Sequence, residues 1–343
     1  MRKILKNIMF CSMLVCLLAL LPQAASAAVT RFTSGDTTGS LDSTTGILTI
    51  SGTGAMADYT SASGTPWYSY RYAVDGIVVE EGVTDIGNYA FASMYYLTDV
   101  TLPSTLQTIG DYAFTDQGDA LTVSIPNCSV AMIAQTAFDD DVVVSAAGTA
   151  GELTWTLRSG TLSVSGTGEI PDYSDYYDYM FSPGAAPWSA LLSRDYVNRI
   201  DIGKGITRIG DNAFELYDDT GTLTVTLPEG LVSIGDGAFE YGNMTSITFP
   251  SSLREIGANA FSGASWLSSV YLNDGLETLG DSAFYGAWNG IGNNTSLTSV
   301  RIPSSLKNWG RNTFSGHSNL SSITLEPGLT MVGENAFSNI SGL

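Results

Sequence analysis

Side chains that carry catalysis or bind transition metals are scarce. The chain has one histidine, His317, and three cysteines, of which Cys11 and Cys16 lie in its first sixteen residues. No second imidazole and no thiol accompanies His317, so neither a hydrolytic triad nor a nucleophile–base pair can be assembled around it. Zinc sites, built from the same residue types, lose their ligands for the same reason. His317 falls between Phe314 and Leu320 and reads as a solvated loop residue. Cys128 has no histidine nearby to activate it and reads as a small buried or half-buried side chain.

Positive charge is equally scarce. Lysine and arginine number 14 against 34 acidic residues, a formal net charge of −20 at pH 7. Such a surface repels phosphate backbones and anionic lipid, which argues against nucleic acid and membrane surfaces as partners. The carboxylates show no spacing that singles out a glycosidase pair. Asp172, Asp175 and Asp178, the run 139–141, and Asp218 with Asp219 follow no EF-hand register and read as solvated acidic loops. GTGAMA at residues 52–57 matches a dinucleotide-binding pattern in form only. Residues 58–66, next in the chain, cannot be a helix presenting its N-terminus, and Pro171 replaces Ala57 in a second copy, so a hairpin turn is the better reading. No enzyme activity and no cofactor is expected.

Long apolar runs are limited to one. Arg2, Lys3 and Lys6 precede an apolar run over residues 8–21, followed by Pro22 and the small-residue site Ala25-Ser26-Ala27. That order describes a secretory signal peptide cleaved after Ala27. The run falls short of the roughly 20 residues that span a bilayer. Val15 before Cys16 argues against lipoprotein processing. Cys11 and Cys16 leave with the leader, so Cys128 has no intrachain partner and burial of apolar surface must hold the remainder together. The expected location is outside a bacterial cell, secreted or on its surface, with no membrane insertion after cleavage.

The chain's most abundant feature is repetition. An apolar-Gly pair followed by Ala-Phe recurs as IGNYAF, IGDYAF, IAQTAF, IGDNAF, IGDGAF, IGANAF, LGDSAF, WGRNTF and VGENAF. These end at Phe91, Phe114, Phe138, Phe214, Phe239, Phe261, Phe284, Phe314 and Phe337, with gaps of 23, 24, 76, 25, 22, 23, 30 and 23. A period near 23 is too short for an independent domain and marks a solenoid. Within a unit, LTDVTL at residues 97–102 alternates as a strand and Pro103 ends it. Leu106 and Ile109 return to the core, and Gly110 allows a sharp turn. Asp111 is expected to cap a short helical turn that carries Ala113 and Phe114 inward. One unit cannot bury its own apolar face, so neighbours must stack.

A longer duplication surrounds the short one. GILTISGTGAMADY at residues 46–59 matches GTLSVSGTGEIPDY at 160–173, and each leads to a Pro-Trp pair (Pro66-Trp67, Pro187-Trp188), an Arg and then an array. The expected organisation is a signal peptide over 1–27, a β-hairpin lead-in over 28–81 and an array over 82–147. A second lead-in over 148–203 and a second array over 204–343 complete it. The lead-ins are expected to cover the open first edge of each array.

These residues resemble the BspA-type leucine-rich-repeat family of bacterial surface proteins, whose unit reads Leu-x-x-Ile-x-Leu-Pro-x-x-Leu-x-x-Ile-Gly-x-x-Ala-Phe. Leu297, Val300, Ile302, Pro303, Leu306, Trp309, Gly310 and Phe314 follow it with one bulky swap. The resemblance implies a curved leucine-rich-repeat solenoid, export, and adhesive or binding roles; some members bind host matrix proteins. It implies no enzyme. The family often places cysteine two or three residues past the Phe, where this chain has Met94 and Ala264.

The fold class expected is therefore a β-rich solenoid: leucine-rich-repeat arrays with short helical turns, each preceded by a Gly-rich β-hairpin segment. Strand alternation turns Arg199/Asp201, Thr224/Thr226, Ser246/Thr248, Ser269/Tyr271, Ser299/Arg301 and Ser322/Thr324 outward in the second array. Six such strands would make a face roughly 25–30 Å wide. Tyr271 and Arg301 are its strongest candidate contacts, with Arg199 on the same face. Two insertions add Tyr285 and Trp288 (residues 285–295) and Tyr176 and Tyr177 (within 172–181). The expected function is binding of extracellular proteins or glycans, host matrix among them. The alternative is a structural component that self-assembles in an envelope or extracellular layer.

Overall fold

The computed structural model describes residues 29–118, 121–125, 132–134, 136–139, 142–174, 185–192, 196–216, 222–286 and 296–342. Residues 1–28, where a signal peptide is expected, and Cys128 lie outside these residues.

Each unit turns its chain three ways around a common core. In the unit from Leu97, the strand Asp99–Thr101 buries Val100 and exposes Asp99 and Thr101, as the alternation requires. Pro103 ends this strand, and a second one, Thr108–Ile109, brings Ile109 inward beside Leu106. The third side is the turn carrying Ala113 and Phe114, both fully buried. First strands pair in parallel with first strands of the next unit and second strands with second strands.

The third side is not the helical turn expected from sequence. Two residues past each apolar-Gly pair the backbone enters the left-handed region, with φ between 54° and 60° at Tyr89, Tyr112, Asn212, Gly237, Asn259, Ser282, Asn312 and Asn335. A left-handed residue stops a helix at once, and Asn and Gly tolerate it best, which explains their frequency there. The Asp or Asn before it does not cap its own turn either. Its side-chain oxygen accepts the backbone N–H of the equivalent residue one unit on. The pairs are Asp58–Asn88 (2.8 Å), Asn88–Asp111 (2.7 Å), Asp172–Asp211 (2.9 Å), Asp211–Asp236 (3.0 Å), Asp236–Ala258 (2.7 Å) and Asp281–Arg311 (2.7 Å). Cap residues thus tie unit to unit.

Inside that corner the aromatic rings form a continuous stack. In the second array the centroid spacings are 5.3 Å for Phe214–Phe239, 5.4 Å for Phe239–Phe261, 5.0 Å for Phe261–Phe284 and 5.3 Å for Phe284–Phe314. Trp188 is the first rung, 5.2 Å from Phe214, and its indole N–H donates to the Ala213 carbonyl at 2.6 Å. Trp67 does the same before Phe91, with its N–H on the Ala90 carbonyl at 2.8 Å. The lead-ins therefore cover each array's first edge by supplying a rung.

One sheet runs through both modules. It is antiparallel across Val29–Ser34, Thr37–Asp42 and Ile47–Gly52, then parallel through Gly76–Val79, Asp99–Thr101, Thr122–Ile125 and Val143–Ala150. It turns antiparallel again at Leu153–Arg158 and Thr161–Ser165, and parallel to Arg199–Ile202 and Thr224–Thr226. Each lead-in is thus a three-stranded meander rather than a hairpin. Val143–Ala150 is at once the last strand of the first array and the first of the second meander. There the second lead-in seals the first array's ring stack, with Tyr196 edge-on to Phe138 at 5.8 Å.

Above the first-rung tryptophans the two meanders fill the same space from opposite strands. In the first, Phe32 faces Gly39 and meets Trp67 edge-on at 6.0 Å. In the second, Gly148 faces Trp155, which meets Trp188 edge-on at 5.8 Å. A Cβ on Gly39 would stand 3.3 Å from the Trp67 ring and 3.5 Å from Phe32 Cβ. Large faces small in both, with the order reversed.

The expected six-stranded face is broken. The long sheet stops at Thr224–Thr226, and Ser269–Tyr271, Ser299–Ile302 and Ser322–Leu325 form a separate sheet. Residues 246–249 between them belong to no strand. The cause is one missing residue. Leu223 and Leu231 are eight positions apart, whereas Met244 and Leu253, Leu267 and Leu276, and Leu297 and Leu306 are nine apart. Leu223 pairs with Met244, 21 positions on, while Ser233 pairs with Glu255, 22 on. The stretch after Met244 must absorb the difference, and it leaves the ladder.

Two outcomes test this architecture. Phe261→Ala, at a rung 1% exposed, should destabilise the chain by about 3–5 kcal/mol in denaturant unfolding; an unchanged midpoint would mean that the stack does not carry the fold. Gly39→Trp should cost about 1–3 kcal/mol by overpacking, and adding Phe32→Gly should recover most of it by recreating the second meander's arrangement. Additive losses in the double variant would refute the exchange.

Candidate binding groove

The broken ladder opens a groove of about 850 Å³ on the sheet face of the second array. Its floor is Ile247 and Phe249, buried because their rings and branches still reach the core: Phe249 stands edge-on to Phe261 at 5.7 Å. Its walls are Thr248, Tyr271, Asp274, Glu229 and Arg301. Among the described residues, the backbone of residues 246–249 makes no backbone hydrogen bond. Donors and acceptors that neighbouring units spend on one another are here free for a ligand.

Two residues singled out from sequence meet in this groove. Tyr271 points outward from its strand and is 61% exposed. Arg301 lies directly opposite in the next strand. Its guanidinium is already engaged, by Asp274 at 2.6 Å, Glu326 at 2.9 Å and the Leu272 carbonyl at 3.1 Å. The hydrogen bond to Asp274, with help from Glu326, raises its pKa further above its ordinary value. Arg301 therefore stiffens the wall rather than offering a free cation, and Asp274, with its side chain 82% exposed, is the charge that projects. An aromatic face, carboxylates and free main-chain groups together suit an extended chain rich in N–H and O–H donors.

The other candidates do not converge there. Arg199 lies on the long sheet, where it pairs with Asp201 at 2.8 Å and donates to Thr226 Oγ1 at 3.0 Å. Tyr285 follows the Phe284 rung, half-buried on the turn side. Trp288, Tyr176 and Tyr177 lie outside the described residues. Asp172 and Asp211 both bind Arg208, at 2.6 and 3.0 Å, and cap the turns of the next units. Among the described residues no group of three His, Cys, Asp or Glu side chains gathers as a metal site.

His317 is not the solvated loop residue expected from sequence. It is 5% exposed, and its Nε2–H donates to the Phe284 carbonyl at 2.6 Å. Gln117 serves the first array in the same way, donating to the Phe91 carbonyl at 3.0 Å. Both bracket the ring stack from the next unit, so the imidazole is a structural donor. Burial is the main cause that lowers its pKa below the ordinary value, partly offset by the bond to Phe284.

A cluster missed at the sequence level lies on the first module. Tyr68, Tyr70 and Tyr72 surround Arg71, and Tyr95 and Tyr96 come one unit later. The signal was present as YSYRY and YY at the spacing of the repeat, but a search confined to strand faces and insertions passes over it.

The geometry can be set beside known proteins. The family model described as the BspA type leucine rich repeat region matches the chain in 6 copies, over residues 67–144, 190–292 and 290–343. No curated protein matches. Among solved structures, a leucine-rich repeat protein from Eubacterium ventriosum is similar at 21% identity and a TM-score of 0.37, over 92% of this chain and 95% of that one. The T. pallidum leucine-rich repeat protein is similar at 23% identity and a TM-score of 0.38, over 57% and 89%. A leucine rich cell surface protein from Faecalibacterium prausnitzii is similar at 16% identity and a TM-score of 0.29, over 93% and 100%.

The buried histidine gives a pH signature with a definite sign. An imidazole kept neutral in the fold stabilises fully above its unfolded pKa of 6.5, and the contribution falls as pH drops below that value toward the lowered folded one. Thermal melts between pH 7.5 and 5.5 (about one unit either side of an ordinary imidazole) should show stability declining with acid. His317→Gln, which keeps an N–H donor, should flatten that decline. An identical slope in the variant would place the titration elsewhere.

Proposed function

Because the chain belongs to the BspA type leucine-rich-repeat family, we propose that it is exported and acts outside the cell as a binding protein rather than as a catalyst. Its ligand in the second array is an extended segment of an extracellular protein, held in the groove beside Tyr271. One observation carries this reading: an exposed aromatic ring stands beside a stretch of backbone that the repeat leaves unpaired. Main-chain groups supply affinity for an extended peptide, and a neighbouring side chain supplies selectivity. The acidic surface favours a partner whose contacting segment is neutral or basic. Arg199 and the inserted aromatics Tyr285, Trp288, Tyr176 and Tyr177 remain candidate contacts away from this groove.

The test is a binding screen of the purified chain against matrix proteins and mucins, followed by variants on whichever ligand binds. Tyr271→Ala should cost more than about 1 kcal/mol of binding, the threshold for a contributing interface residue, with an unchanged melting temperature. Unchanged affinity in that variant, together with a loss in Trp288→Ala, would move the site to the insertion at residues 285–295.

A further inference from the structure

We propose that the tyrosine cluster of the first module is a second and separate ligand site, and that its ligand is a saccharide. Tyr72 is 55% exposed and Tyr96 59%, and their rings stand 6.3 Å apart at 61°. Together they form an aromatic platform in which Tyr96 offers a ring face, while Tyr72, with Tyr95 and Arg71 against its faces, offers its edge and hydroxyl. The platform is fixed before any ligand arrives. Tyr95 stacks beneath Tyr72 at 5.4 Å and 12°, and its hydroxyl donates to Asp116 at 3.1 Å. Ser93 donates to the same carboxylate oxygen at 2.8 Å. The Arg71 guanidinium lies over Tyr68 at 4.1 Å and over Tyr72 at 4.3 Å, and donates to the Tyr68 carbonyl at 3.0 Å.

The duplicate lead-in makes the same turn without tyrosine. After the shared tryptophan the second lead-in continues Ser189-Ala190-Leu191-Leu192, and its last three residues are buried in a short helix against Met132–Ile133 of the preceding array. At the same positions the first lead-in has Tyr68, Ser69, Tyr70 and Arg71, followed at once by Tyr72. The internal duplicate is thus a control: where the turn serves packing it is aliphatic, and where it faces solvent it is tyrosine and arginine. Exposed aromatic area of this kind marks a recognition surface rather than a packing one.

The chemistry of the cluster selects the ligand class. The Tyr96 ring takes the C–H face of a pyranose, while phenol hydroxyls, the guanidinium and Asp116 pair with its hydroxyls. Arg71 already occupies one face of Tyr72, which disfavours a quaternary ammonium or lysine on that ring. Nucleotides carry phosphates that the net charge of −20 repels. A lipid tail would leave Asp116, Arg71 and the hydroxyls beneath it without water. A neutral sugar meets none of these objections.

The experiment is titration calorimetry of the whole chain with chitotriose, cellotriose and lactose. At least one should bind, and Tyr96→Ala should weaken it by about tenfold or more with its melting curve unchanged. Tyr271→Ala should leave saccharide affinity intact, so that failure of the groove and failure of the platform are read separately. No binding by any of the three at millimolar concentration would overturn the proposal. So would affinity retained in Tyr96→Ala, whose exposed ring can be removed without disturbing the stack, or affinity lost in Tyr271→Ala instead.

Discussion

Parallel stacking of rings about 5 Å apart is the constraint on which the rest of this molecule depends, since adjacent strands have the same spacing. Ring stack and hydrogen-bonded ladder can run side by side only because the two repeats match. The turn that delivers each phenylalanine must therefore be short and identical from unit to unit. A left-handed residue after the apolar-Gly pair achieves this, and an Asp or Asn just before it links each turn to the next. A stack of identical rungs also needs a first rung that ends it, and a tryptophan can do so because its indole N–H reaches the carbonyl next to the following phenylalanine.

That constraint also decides where the structure is free. A solenoid is held by nearest-neighbour contacts, so a local defect stays local. The residue missing between Leu223 and Leu231 breaks the outer ladder but not the ring stack, because Phe239 and Phe261 remain 5.4 Å apart. The second strands also stay in register across the defect. The cost is confined to unpaired main chain at the surface, where water or a ligand can satisfy it. A groove is thereby produced without any inserted loop.

Much of this was legible in the sequence, because period and alternation report directly on which residues face inward. The phenylalanine positions, the first strand of each unit and the outward Tyr271 all emerge from those patterns. Three features did not. The exchange of Phe32·Gly39 for Gly148·Trp155 depends on cross-strand pairing, and two glycines in unrelated contexts give no sign of it. The burial of His317 depends on its bond to a carbonyl 33 residues earlier, whereas a polar residue between two repeats reads as solvent-exposed. The ladder break was present as a spacing of eight instead of nine, yet it is visible only when leucine is aligned to leucine rather than phenylalanine to phenylalanine.

Duplication makes the functional argument sharper than composition can. Within one chain the same lead-in appears twice, once buried against a preceding array and once facing solvent, and the differences between the copies separate packing from recognition. Leu192 against Arg71 is such a difference; Trp155 against Phe32, which fill one space, is not. The same logic applies to the array: Arg301 is outward-facing, yet it spends its charge on Asp274 and Glu326, so exposure alone overstates its role. Residues that the repeat does not need, and that their neighbours do not consume, are the ones left over for a ligand. On the described surface that criterion selects Tyr271 with the unpaired main chain beside it, and Tyr96 beside the stacked Tyr72 and Tyr95. These are two sites on two modules, and they need not serve one partner.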